Sequence, residues 1–402
     1  MTAALEAGLA ERFGTLQRRS LVVGLGASVV LLVGAVLDLD SFFRSWLPAF
    51  LFWLGLGLGS MGILMLHRLV GGAWGRAIQP WLEAAMRTLP VGALLFLPVA
   101  LGIGSLFEWS HAEVVEADPL LQSKAAYLNV PFFLVRAAVY FAVWILFSRV
   151  LLAQLPADPA DGGDLEAQRR GQRWGAAGIL AYVVTMTFAS VDWAMSLEPH
   201  WFSTIYGVQF IVGQALSAFC LAIAAVAWLE RSTGRQGPGP DGQNIDPSHL
   251  RDLGNLLLAF VMLWAYVAFS QYLIIWSGNL PEEATWYLSR TAGGWQAVAL
   301  FLILFHFAVP FVILLGRRSK ERARVIGRLA LALLLLRTLD LAWMILPAFH
   351  DQDLAGFWML PVAFLAVGGL WAAVFFRALR LHPPALAPAE PAGGELQEAT
   401  AP

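Results

Sequence analysis

DWAMSLEPHWFSTIYGVQFIVGQALSAFCLAIAAVAWL, residues 192–229, joins a short polar turn to a long apolar run. From 205 to 229 the run holds no Asp, Glu, Lys or Arg. About 20 apolar residues are enough to cross a hydrocarbon core of about 30 Å as a helix. Lipid offers no partner to backbone N–H and C=O groups, so a spanning segment is either a helix or part of a closed barrel. The apolar residues here are continuous rather than alternating, which reads as helix. Similar runs recur along the whole chain. Of its 402 residues 58% are hydrophobic and 13% charged, with a mean hydropathy of +0.66, whereas a soluble domain carries about 25% charged residues. The sequence therefore describes an all-α, polytopic membrane protein.

Ten transmembrane helices are predicted, at roughly 20–37, 48–67, 90–107, 131–153, 175–192, 205–229, 254–276, 295–316, 325–346 and 356–376. They make one integral membrane domain, 20–380, between an N-terminal segment, 1–19, and a tail, 381–402, whose Ala, Pro and Glu predict disorder. With the N-terminus inside, the cytoplasmic segments hold 21 of the 26 basic residues, and the external ones hold Arg44, Lys124 and Arg290. Arg136 and Arg337 fall inside spans. That bias places both termini in the cytoplasm and the 192–204 turn outside. The stretches 154–173 and 231–251, rich in Pro, Gly and charge, read as flexible cytoplasmic connections. No cleavable leader is read, and the first apolar run is long enough to remain as a signal anchor. Helix three, the loop with Tyr127-Leu128-Asn129 and helix four resemble helix seven, the loop with Tyr287-Leu288-Ser289 and helix eight, a weak parallel repeat.

The single cysteine, Cys220, excludes a disulfide, an iron–sulfur cluster or covalent haem attachment within this chain. Near-neutral charge, 26 basic against 28 acidic residues, gives no nucleic-acid footprint. No metal site and no catalytic residue are expected.

Ionisable groups inside spans are functional candidates by default. Arg337 and Asp340 share a helix face near the middle of helix nine, either as a self-neutralising packing pair or as a protonatable carboxylate tuned by its arginine. His306 precedes Pro310 by four residues. That proline removes the hydrogen bond to the carbonyl of residue 306 and kinks the helix, leaving a polar spot at mid-membrane. Arg136 either snorkels outward or neutralises Glu108 or Asp192. Tyr266, Ser270 and Gln271 on helix seven, and Thr185 and Asp192 on helix five, line either a hydrated half-channel or interhelical hydrogen bonds. Gly55 and Gly59 have the spacing of a close-packing face, not of a phosphate loop. In the 192–204 turn, the tryptophans suit the membrane interface and Pro199 and Ser203 suit a turn. Three ionisable groups there, Asp192, Glu198 and His200, also suit a proton exit or a docking surface.

The wording of that turn, Asp192-Trp193, Met195-Ser196-Leu197, Glu198-Pro199-His200-Trp201 and Ser203, resembles the F subunit of alternative complex III, a bacterial quinol:cytochrome c oxidoreductase. So does FSQYLIIWSGNLPEEATWYLSR, residues 269–290, with its Asn279-Leu280-Pro281-Glu282-Glu283 core. The resemblance covers about residues 20–380. It implies kinship with the NrfD-like membrane anchors of polysulfide reductase, and two four-helix bundles with two peripheral helices. It also implies a place in the bacterial inner membrane beside an iron–sulfur subunit, a multihaem cytochrome c subunit and a homologous C subunit. Haem c and iron–sulfur clusters would belong to those partners. This chain would carry no redox centre of its own, with quinone as a ligand the family admits.

The expectation is a subunit contributing a proton pathway or a quinone-side scaffold in respiratory or photosynthetic electron transfer. The pathway candidates are Asp340, Arg337, His306, Asp192, Arg136, Tyr266 and Ser270, with Asp192 as the external exit. The docking candidates are Glu198, His200, Trp201, Asn279, Glu282 and Glu283. A purely structural scaffold, or a stand-alone secondary transporter, are the alternative readings.

Overall fold

The computed structural model describes residues 2–72, 74–154, 165–233, 245–349 and 357–384. Much of the connections 154–173 and 231–251, and the tail from 385, lie outside the described residues. Among those described there is no strand, and ten helical segments are long and apolar enough to cross a membrane. In chain order they are Ala7–Leu37, Leu39–Val70, Trp74–Leu101, Val130–Ala153, Arg169–Leu197, Tyr206–Ser232, Pro247–Gly278, Trp295–Leu315, Ala323–Ala348 and Leu360–Leu381, called spans 1 to 10 below. This is a multi-pass membrane fold.

Local chemistry sets the ends. Asp38 caps span 2 by accepting from Ser41 N at 3.0 Å, and Asn129 caps span 4 by accepting from Phe132 N at 3.0 Å. Each supplies an acceptor to an otherwise orphaned first-turn amide. Asp246, followed by Pro247, starts span 7, and Asn279 closes it in the left-handed conformation at φ 47°.

Several helices outrun their hydropathic cores. Thr2–Leu37 is one helix, so the N-terminal segment continues without a break into span 1. Span 2 starts at Leu39, which puts Arg44 in its second turn rather than in a loop. Span 3 begins at Trp74, where the sequence predicts a start at 90. Arg76, Glu83 and Arg87 lower its hydropathy, yet Ile78, Trp81, Leu82, Ala85 and Met86 are buried. Pro90 and Pro98 then break the span into short pieces.

Spans 2 and 6 form the centre. Their apolar stretches are 83% and 72% buried, against 22% for spans 1 and 8. Span 2 packs on spans 3, 5, 6 and 10, while span 6 packs on spans 5, 7 and 9, and span 1 lies along span 10. A Cβ at Gly59 would overlap the Gln214 carbonyl, and at Gly55 it would touch Gln214 Cγ at 3.1 Å. Both glycines thus let spans 2 and 6 approach closely, as their spacing predicts. Exposed Leu, Val, Ile and Phe side chains cover the outer faces of the rim spans, as a lipid-facing surface requires.

Candidate functional site

Two buried polar centres stand out, and the 192–204 turn organises the first. Asp192 is fully buried. Its carboxylate accepts from Arg136 Nε at 2.8 Å, Arg136 Nη2 at 2.9 Å and Tyr140 Oη at 2.7 Å. Arg136 also donates to the Tyr127 carbonyl at 2.8 Å, and its guanidinium lies over the Tyr127 and Phe132 rings at 3.9 and 4.4 Å. Such a bidentate, ring-stacked fork is a geometry only arginine supplies. Of the readings open for Arg136, the structure selects neutralisation of Asp192. Thr185, about two turns earlier on span 5, accepts from Trp144 Nε1 at 2.8 Å, so the Thr185–Asp192 stripe bonds span 5 to span 4.

Six residues on, Glu198 does the same for the second loop. It pairs with Arg290, Nη2 to Oε2 at 3.0 Å. Arg290 is buried, donates to the carbonyls of Trp286 and Met344 at 2.8 and 2.6 Å, and lies 3.6 Å over the Trp286 ring. Trp201 stacks on Trp286 at 5.0 Å and donates from Nε1 to the Glu283 carbonyl at 3.2 Å. Lys124 donates to the Pro199 carbonyl at 2.6 Å, and His200 meets Asp118 at 2.5 Å. The 192–201 stretch is therefore a clasp that ties the loop before span 4 to the loop before span 8. Burial lowers the proton affinity of Lys124 and of Arg290, the latter partly restored by Glu198. The hydrogen bond from His200 is the main cause holding Asp118 below its ordinary value. Burial, then the Asp192 charge, raises Tyr127.

Three expectations are corrected here. Trp193 and Trp201 are not interface anchors, because both are buried. Trp193 packs among Phe50, Phe96, Phe141 and Trp144. Asp192 is not an open external exit: it is sealed, and its three hydrogen bonds come from within the chain. Glu198 and Trp201 are spent inside the clasp rather than presented to a partner. Of the docking candidates, His200, Asn279 and Glu282 are exposed and Glu283 is half-buried.

The second centre lies mid-span. Arg337 and Asp340 on span 9 form a buried ion pair. Trp264 of span 7 donates from Nε1 to Asp340 Oδ2 at 3.3 Å. His306 packs edge-on against that indole, ring centroids 4.1 Å apart, and is fully buried with no hydrogen-bond partner at either ring nitrogen. It sits in a π-helical turn, Ile303–Ala308, directly before Pro310. The distortion predicted from the proline is thus present, as a widened turn. A Cβ at Gly213 of span 6 would fall 2.7 Å from Arg337 Cζ, so the bare glycine makes room for the guanidinium. The pair faces inward, toward spans 6 and 7, a direction the sequence leaves open.

Tyr266 and Ser270 do not join this centre. At about 100° per residue, position 266 lies roughly 200° around the helix from Trp264. Tyr266 is 68% exposed and Ser270 half-buried, while Gln271 returns to the inner face and is buried beside Tyr287. The stripe splits between the lipid face and the interior. Residues that sequence reasoning missed are Tyr140, Trp264, Gly213, Gln214, Tyr182 and Glu83. Only Glu83 carried a signal, an acid inside a helix, accepting from Gln79 at 2.7 Å.

Among the described residues no group of three His, Cys, Asp or Glu side chains is placed to hold a metal ion. No protein-family model matches the chain, and no curated protein matches it.

Proposed function

We propose that the chain is a membrane subunit of a quinol:cytochrome c oxidoreductase of the alternative complex III type, without a redox centre of its own. In this reading it lies in a bacterial inner membrane, with spans 2–5 and 6–9 as two four-helix bundles, spans 1 and 10 peripheral, and both termini cytoplasmic. Its partners are the iron–sulfur, multihaem cytochrome c and C subunits, and it supplies a proton pathway through Asp340. The observation that carries the pathway is His306, a titratable ring with no hydrogen-bond partner, buried against the indole that holds Asp340. A group with unused donor and acceptor capacity beside a tuned carboxylate has the chemistry to receive and pass a proton. Arg337 is the counter-charge to that carboxylate.

The test begins with a tag on this chain and purification from membranes. Co-purifying multihaem and iron–sulfur subunits, with quinol-dependent reduction of cytochrome c, support the assembly. Asp340→Asn then stops proton translocation while assembly and electron transfer persist. Unchanged translocation in Asp340→Asn and His306→Gln favours the scaffold reading, and a colourless chain purified alone favours a transporter.

A further inference from the structure

Between spans 2, 6 and 9 lies a small, partly open pocket lined by Leu51, Phe52, Gly55, Phe210, Gln214, Ser217, Arg337 and Leu341. It has about 10 Å³ of room for the centre of a water molecule, which suits about one water. The wall is apolar except for three groups, and their hydrogen-bonding capacity is complementary. Arg337 is buried, and its Nε finds no partner in the chain. Ser217 Oγ gives its hydrogen to the Gly213 carbonyl at 2.8 Å, which leaves its lone pairs to accept. Gln214 Oε1 accepts from Tyr182 Oη at 2.7 Å and its Nε2 donates to Met186 Sδ at 3.2 Å, so the amide keeps one lone pair and one N–H for a further partner.

We infer that this pocket binds a single water molecule, which accepts from Arg337, donates to Ser217 Oγ and hydrogen-bonds the Gln214 amide. Three hydrogen bonds are the usual complement of a buried water. An anion is the wrong class of ligand, because the Arg337 charge is already met by Asp340 and Ser217 Oγ, its hydrogen given to Gly213, offers only lone pairs. An apolar occupant would leave the arginine donor buried and unmet, at the cost of a lost charge-assisted hydrogen bond. The water completes one polar track across the middle of the membrane, Trp264, Asp340, Arg337, water, Gln214 and Tyr182, running from span 7 through spans 9 and 6 to span 5. Its role is positional: it holds the arginine that faces Asp340, and it stands whether or not Asp340 carries protons.

The experiment is a structure of the full chain, in its purified membrane assembly, at a resolution that shows ordered water, with a parallel sample in sodium bromide. The expected result is one peak within hydrogen-bond distance of Arg337, Gln214 and Ser217, with no bromide signal. In Gly55→Ala the new methyl sits 3.1 Å from Gln214 Cγ at the pocket wall, and the peak disappears. Should that variant fail to fold, Ser217→Ala removes one acceptor without adding volume, and the peak weakens or shifts toward Gln214. Arg337 found turned into an unoccupied pocket, or bromide at the site, overturns the inference.

Discussion

The sharpest consequence of the clasp concerns Asp192. Replacing it with Asn keeps its shape but removes the charge from a site where Asp192 is 0% and Arg136 8% exposed. Solvent therefore does little to screen what is lost. Three charge-assisted hydrogen bonds disappear or become neutral, each worth roughly 1.5–3 kcal/mol. Arg136 keeps the Tyr127 carbonyl and two aromatic rings, which return about 0.5–2 kcal/mol. The remainder is the cost of a buried, uncompensated cation, about 3–5 kcal/mol. The partner variant Arg136→Gln strands the opposite charge and costs a similar amount. The double variant leaves two neutral amides that can bond each other, so it recovers much of the loss. A double-mutant cycle, read by unfolding the detergent-solubilised chain against increasing SDS, gives a coupling of about 2–3 kcal/mol. Additive losses, with coupling below about 0.5 kcal/mol, would refute the idea that these charges exist for each other. The same variants test the exit reading: Asp192→Asn lowers stability while leaving any proton translocation by the assembled complex intact.

Arg290→Ala removes the Glu198 pair and two carbonyl contacts at once, so amide hydrogen exchange rises in both 195–201 and 281–290, whereas Glu198→Gln raises it less. Gly213→Ala drives a methyl into the guanidinium of Arg337 and costs about 1–3 kcal/mol of stability by overpacking, visible as a lower thermal midpoint. The His200–Asp118 latch is acid-sensitive. Because its carboxyl is held below the ordinary 3.8, its stabilising contribution is complete above the unfolded value and fades as pH falls through the folded one. Hydrogen exchange across 118–124 therefore accelerates only below about pH 4, and in Asp118→Asn that acid step is absent.

The fold was legible because each span satisfies its own backbone, so apolar length alone reveals it. Span 3 shows the limit of that signal. Its first half buries one face and carries Arg76, Glu83 and Arg87 on the rest, and a mean over residues cannot see a face. The Arg337–Asp340 pair was legible because its partners lie three residues apart on one helix. Arg136 with Asp192, and Glu198 with Arg290, were legible as charges but not as pairs. Their partners are separated by 56 and 92 residues, and only packing brings them together. For the same reason the turn read as a docking surface: its ionisable groups looked free when their partners lay in distant loops.

The two buried centres differ in a way that composition cannot express. Around Asp192, the carboxylate receives three donors, and Arg136 has a carboxylate, a carbonyl and two rings. Those contacts tie span 5 to span 4 and to the loop before it. The centre is built to hold two loops in place. Around Asp340, capacity is left over: both nitrogens of His306 and Nε of Arg337 have no partner within the chain. Buried groups left unmet are costly, and the clasp has its own in Trp193 Nε1 and Arg290 Nε. The neighbouring π-turn before Pro310 is a second local cost at the same depth. Unused hydrogen-bonding capacity beside an ion pair is the observation on which the proposed pathway through Asp340 rests.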